Sequence, residues 1–154
     1  MLFRSGIRIE VEEAARRLSV LGERRQLVSA LANLVENGVK YSDAGSTVHV
    51  AASVDPSGDW VELVVRDHGI GIPQRDLERI FERFYRVDRA RSRETGGTGL
   101  GLAIVRHVAT NHGGRVTVQS QEGLGSTFTL RIPAGPRPAT PEPPAANRTE
   151  ASTR

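Results

Sequence analysis

The chain has 154 residues, of which 38% are hydrophobic, 25% charged and 5% aromatic, a composition suited to one globular domain and not to a multidomain assembly. It contains no cysteine, which excludes disulfides, thiolate catalysis and Cys-ligated metal centres, and no run approaches the ~20 apolar residues of a membrane helix. Its 21 basic residues exceed the 18 acidic ones, but the signs are interspersed and aromatics are few, so no direct nucleic-acid contact is expected. Met1 to Gly6 lacks the charged-then-apolar order of a signal peptide, so the expectation is a cytoplasmic domain making no membrane contact of its own.

Residues 1–22 form an N-terminal strand region, in which Gly6 to Val11 alternates like a strand. Nothing precedes it to pair with, the pattern expected at the end of something longer. From Glu23 to Tyr41, Leu27, Ala30, Leu31, Leu34, Val35 and Val39 recur at helical spacing, with Glu23 early, where the helix dipole favours an anion. Thr47 to Val54 and Trp60 to Asp67 read as strands joined by a turn at Asp55-Pro56-Ser57-Gly58-Asp59. Pro73 to Phe84 reads as a short helical stretch, Arg86 to Gly97 has no periodicity, and Leu100 to Asn111 is helical until Gly113-Gly114. Arg115 to Ser120 and Ser126 to Ile132 alternate as a second hairpin about Gly123-Leu124-Gly125. No large apolar residue follows Ile132, and six of the eight prolines lie from Pro133 onward, so 23–133 is taken as the domain and 134–154 as a disordered tail.

Twenty of the 21 basic residues are Arg, and the one lysine, Lys40, lies on the first helix. Asn33, Asn37 and Lys40 share one face of that helix, with Tyr41 beside it. An Asn oxygen suits Mg2+, and an ammonium on a flexible stem can follow a phosphate; the competing explanation is a solvated amphipathic face. Asp67-His68-Gly69-Ile70-Gly71 closes a strand with a carboxylate able to accept a hydrogen bond from an exocyclic amine, although Asp-x-Gly is also a common turn. Gly96-Gly97-Thr98-Gly99-Leu100-Gly101-Leu102 precedes a helix, so exposed amides and the helix dipole suit phosphate oxygens there. The preceding strand of a dinucleotide-binding fold is missing, as is the Gly-Lys-Ser/Thr of a P-loop.

Asn33-Leu34-Val35-Glu36-Asn37-Gly38-Val39-Lys40-Tyr41-Ser42 resembles the N box of bacterial sensor histidine kinases, and Asp67-His68-Gly69-Ile70-Gly71 their G1 box. Phe81-Glu82-Arg83-Phe84-Tyr85-Arg86 resembles the F box, Gly97-Thr98-Gly99-Leu100-Gly101-Leu102 the G2 box, and Gly123-Leu124-Gly125-Ser126-Thr127 the last glycine motif. These motifs cover residues 33–127 in the family's order. The resemblance implies the α/β two-layer sandwich of the gyrase, Hsp90, histidine kinase and MutL superfamily: a mixed sheet, helices packed on one face, and an ATP pocket on the helical side under a mobile lid at Arg86 to Gly97.

By the same resemblance Asn37 ligates Mg2+, Asn33 supports metal and phosphates, Lys40 reaches a phosphate, and these three are the catalytic set. Tyr41 stacks near the adenine, Asp67 reads its amine, and Gly69, Ile70 and Gly71 admit the base. Arg86, Gly97, Thr98, Gly99, Leu100, Gly101, Leu102 and Thr127 complete the ATP-binding set. Gly38 departs from the family's usual Ala. The phosphoacceptor H box is absent, since His68 and Pro73 reproduce its spacing but Gly69 replaces the acidic residue. The implied activity is transfer of the γ-phosphoryl group of Mg-ATP to a histidine on a separate dimerisation and phosphoacceptor module, then relay to a response-regulator receiver domain, with the full-length receptor anchored in the inner membrane. The alternatives are an ATP hydrolase or clamp of the superfamily and a non-catalytic nucleotide sensor. Hydrolases carry a Glu where Asn33 stands, and Glu36 is turned roughly 60° from it around the helix.

Overall fold

The computed structural model describes residues 6–87 and 96–136. Helix α1 (Arg24–Tyr41) begins where Glu23 caps it: the carboxylate accepts from the Arg25 and Gln26 amides at 3.1 and 2.7 Å. Such a cap contributes about 1 kcal/mol. The helix buries Ala30, Leu34 and Gly38. A second helix, α2 (Gly101–Asn111), buries Val105, Val108 and Ala109 and packs beside α1.

Both helices cover one face of a five-stranded sheet of order β1-β2-β3-β5-β4, built from β1 (Arg8–Val11), β2 (Thr47–Val54), β3 (Trp60–Arg66), β4 (Arg115–Gln121) and β5 (Gly125–Pro133). Period-two alternation sends Val48, Val50 and Ala52, then Val61 and Val65, then Phe128, Leu130 and Ile132 toward the helices, where all are buried. Each such side chain, fully buried, stabilises the fold by about 1.5–3 kcal/mol. The two-layer sandwich inferred from the motifs is the fold observed. No helix among the described residues is long and apolar enough to cross a membrane.

Three local readings change. The strand at the start does have a partner, but a later one: β1 pairs parallel with β2, Ile9 opposite Val48, and α1 is the crossover between them. Pro73 to Phe84 is not one helix but two 3-10 turns, Gln74–Asp76 and Arg79–Phe81. The Tyr85 hydroxyl donates to Asp76, which folds the segment back on itself; along an α-helix those residues would stand about 13 Å apart. Ala134 and Gly135, assigned to the tail by composition, donate backbone hydrogen bonds to the Asp59 and Ser19 carbonyls at 2.8 and 2.7 Å. Residues 137–154 of that tail, and the centre of the expected lid at 88–95, lie outside the described residues.

Candidate functional site: a nucleotide-sized cleft

A cleft of about 1070 Å³ opens between α1, the loop after β3, residues 85–87 and the loop entering α2. Asp67 lies on its wall. Its backbone continues the ladder by donating to the Ser126 carbonyl at 2.9 Å, and its Oδ1 accepts from the Gly69 and Ser126 amides at 2.9 and 3.3 Å. The residue is 6% exposed. Burial pushes its carboxyl above the ordinary value of 3.8, against the opposing pull of those two amide bonds. Oδ2 has no partner among the described residues. The loop lies so close to the end of α1 that a Cβ at Gly69 would sit 2.1 Å from the Tyr41 carbonyl oxygen, which accepts from the Ile70 amide at 3.2 Å.

The same wall also carries cations and amides. Asn33 commits its Nδ2 to the Ser29 carbonyl at 2.9 Å, leaving Oδ1 facing the first residue of α2, 2.8 Å from where a Cβ at Gly101 would stand. The Asn37 side chain has no hydrogen-bond partner among the described residues. Lys40 Nζ and Arg86 Nη2, the latter at 2.8 Å, both donate to the Gly96 carbonyl, and the ammonium lies 5.2 Å from the Tyr41 ring centre. The first-turn amides of α2 have no preceding carbonyl to bond, and Leu100 supplies no side-chain cap.

The cleft wall therefore brings together Asn33, Asn37, Lys40, Tyr41, Asp67, Ile70, Gly71, Arg86, Gly97, Thr98, Gly99, Gly101 and Leu102. Gly69, Leu100 and Thr127 are not on the wall. Strand alternation explains Thr127: its neighbours Ser126 and Phe128 face the cleft, so Thr127 points to the other side of the sheet. Ser126 went unassigned in the sequence although the same alternation marks it; its hydroxyl lies 2.8 Å from that of Ser120, which accepts from the Ile72 amide at 2.8 Å and so ties the loop to the hairpin. Tyr85 and Glu36 also border the cleft, and no spacing argument reaches Tyr85, which comes from a segment without regular periodicity.

Residues 22–136 match the profile of histidine kinase-, DNA gyrase B- and HSP90-like ATPases. The sensor-like histidine kinase SenX3 of Mycolicibacterium smegmatis is 56% identical over 119 residues, which is 77% of this chain and 30% of SenX3. The sensor histidine kinase WalK of Bacillus subtilis is 44% identical over 70% of this chain and 18% of its own. The chain thus spans less than a third of these curated relatives. Among solved structures, the mycobacterial sensor histidine kinase MprB superposes with a TM-score of 0.70 at 33% identity, covering 86% of this chain and 85% of that one. Full-length ShkA in complex with AMPPNP gives 0.70 at 34% identity over 84% of this chain and 26% of its own. The chain belongs to the family of histidine kinase-, DNA gyrase B- and HSP90-like ATPases, and the relatives it matches are sensor histidine kinases.

Proposed function

We propose that this chain is the ATP-binding catalytic module of a sensor histidine kinase, transferring the γ-phosphoryl group of Mg-ATP to a histidine on a separate dimerisation and phosphoacceptor module, from which it passes to a receiver domain. In the whole protein this module would sit on the cytoplasmic side of a membrane-anchored receptor. The observation that carries the reading is the make-up of the cleft: a buried carboxylate with one oxygen unbonded among the described residues, sharing its wall with an amide pair, two cations and open helix amides. A nucleotide carries the matching groups, an exocyclic amine and phosphates.

Within this reading Asp67 Oδ2 accepts from the adenine amine, and Tyr41 flanks the base. Asn37, whose amide has no partner among the described residues, is the candidate Mg2+ ligand, with Asn33 Oδ1 beside it; an Asn oxygen suits a hard cation that keeps several waters. Bound there, the ion would neutralise phosphate charge during transfer. Lys40 and Arg86 exchange the Gly96 carbonyl for phosphate oxygens, and the amides of Gly101 and Leu102 add the helix dipole. These groups position the phosphates and stabilise their charge, the two tasks that phosphoryl transfer asks of a protein.

The nucleophile comes from elsewhere. None of the four histidines, His49, His68, His107 and His112, borders the cleft, and in-line attack needs an approach of about 3–3.5 Å. His107 pairs with Asn111 on α2, and His112 is bonded at both nitrogens, accepting from the Glu23 amide at 3.0 Å and facing the Val108 carbonyl at 2.7 Å. Incubation with γ-labelled ATP and Mg2+ should leave the chain unlabelled, while adding a dimeric phosphoacceptor domain should give acid-labile, base-stable label on that domain. Robust labelling of the chain alone, lost on replacing one of its histidines, would overturn the reading.

A second expectation concerns the metal. Asn37→Ala should weaken Mg-ATP several-fold while leaving metal-free ATP nearly unaffected, because the residue acts through the ion. Calorimetric titrations in magnesium and in chelator separate the two, and equal losses would give Asn37 some other role. Because Glu36 also borders the cleft, hydrolysis is the competing activity; phosphate release that persists without any phosphoacceptor and vanishes in Glu36→Gln would favour it.

A further inference from the structure

We infer that Asp76 and Tyr85 are a positioning pair whose task is to aim Arg86 at the terminal phosphate. This rests on the nucleotide reading above and assigns a device to it. Asp76 sits in a 3-10 turn and is 6% exposed, an unusual place for a carboxylate. One of its oxygens accepts from the Tyr85 hydroxyl; the other, Oδ2, is buried without a hydrogen bond, its nearest cation being Arg75 Nε at 3.7 Å on a side chain that is 81% exposed. A buried acid left half-satisfied is costly, so its presence here asks for a reason beyond packing.

The reason lies one residue further along. The Tyr85 ring packs against the hydrophobic core, and the Arg79 guanidinium covers it at 4.3 Å from the ring centre. Its hydroxyl is held by Asp76, and that bond keeps the phenol protonated by pushing its ionisation upward. Tyr85 is therefore fixed at its ring and at its tip. Immediately before it, Phe84, a residue 70% exposed, takes φ +63°, a left-handed conformation that a bulky residue adopts only when its surroundings impose it. The Phe84 amide is engaged by the Gly99 carbonyl at 2.9 Å, so the same turn is tied to the glycine loop entering α2.

The backbone leaving Phe84 and Tyr85 is thus clamped from two sides, and Arg86 leaves it toward Gly96, where its guanidinium meets Lys40 at the shared carbonyl. A long side chain loses conformational freedom when it grips a phosphate; a fixed point of departure reduces that cost. The pair contacts no phosphate itself and works through Arg86.

The test uses the intact chain and compares ATP with ADP by calorimetry in the presence of Mg2+. Arg86→Ala sets the scale, lowering ATP affinity and leaving ADP nearly unchanged. Tyr85→Phe keeps the ring, its packing and the Arg79 contact, and should lower the preference for ATP over ADP roughly ten-fold, the scale of one charge-assisted hydrogen bond. In the double variant Tyr85→Phe with Arg86→Ala the losses should not multiply, because both act at one point. If Tyr85→Phe strands the Asp76 charge and unfolds the chain, adding Asp76→Asn removes that charge, and the same ratio is read in the paired variant. Equal losses for ATP and ADP, an unchanged ratio, or fully multiplicative losses would each overturn the pair while leaving the nucleotide reading standing. Failure of the unaltered chain to bind ATP would overturn both.

Discussion

Asp67→Asn should lower ATP affinity by roughly ten- to 100-fold and move the preference of the cleft toward GTP, as the loss of a hydrogen bond to a charged group implies. The asparagine Oδ1 can still accept from the Gly69 and Ser126 amides that hold the aspartate, so the side chain stays in place and only its free end changes. That end becomes an NH2 donor, which opposes the adenine amine and complements the guanine carbonyl. Titration of the parent and the variant with ATP and GTP analogues reads the inversion, and an unchanged ratio would remove Asp67 from base recognition. Acidity gives a second handle on the same residue. Since burial raises its pKa above 3.8, ATP affinity should fall on acidification at a higher pH than an ordinary carboxylate would dictate. The folded chain holds this proton more tightly than the unfolded one, so protonation of Asp67 favours the fold over the same range in which it weakens ATP. Opposite slopes of affinity and thermal midpoint in that range are the signature to look for.

Gly69→Ala should be among the most damaging single-methyl additions in the domain. The new Cβ would stand 2.1 Å from the Tyr41 carbonyl oxygen and 2.7 Å from its carbon. Both are backbone atoms at the end of an 18-residue helix, so no side-chain rotation relieves the clash. The loop must move instead, giving up the Ile70 bond to Tyr41 and the Gly69 bond to Asp67. Overpacking against immovable atoms, with loss of buried hydrogen bonds, costs about 3 kcal/mol or more, which is a fall of about 10 °C in Tm for a domain of this size. Because Asp67 loses its support, ATP affinity should fall as well. Calorimetric melting together with titration measures both, and an unaltered midpoint would mean that the loop yields at no cost.

The regular elements were legible because their apolar residues repeat: Leu27 to Val39 at helical spacing, Val48, Val50 and Ala52 at every second position. The boxes were legible because their residues resemble, in order and spacing, motifs of sensor histidine kinases. Less was legible where the deciding contact is remote in the chain. The partner of β1 lies beyond a whole helix, at Thr47 to Val50, and no property of residues 8–11 names it. Pro73 to Phe84 carries enough helix-compatible residues to read as one helix, yet a bond from Tyr85 to Asp76 outweighs that preference. Ala134 and Gly135 look like tail by composition and are held by backbone groups of Asp59 and Ser19, to which composition is blind. Thr127 was assigned by its motif; alternation along the same strand selects Ser126 for the cleft.

The imidazole of His112 joins the start of α1 to the end of α2 through the Glu23 amide and the Val108 carbonyl. Further along α1, Asn33 faces Gly101, the first residue of α2, where both border the cleft. His112 is therefore a pin between the two helices, and α1 from Glu23 to Asn33 is the arm between that pin and the cleft. From Glu23 to Asn33 the arm is about 15 Å long. A splay of about 4° at the pin would part Asn33 from Gly101 by about 1 Å, the scale of misplacement at which group transfer slows by orders of magnitude. His112 does not border the cleft, so a bond outside the cleft bears on the spacing of two residues inside it.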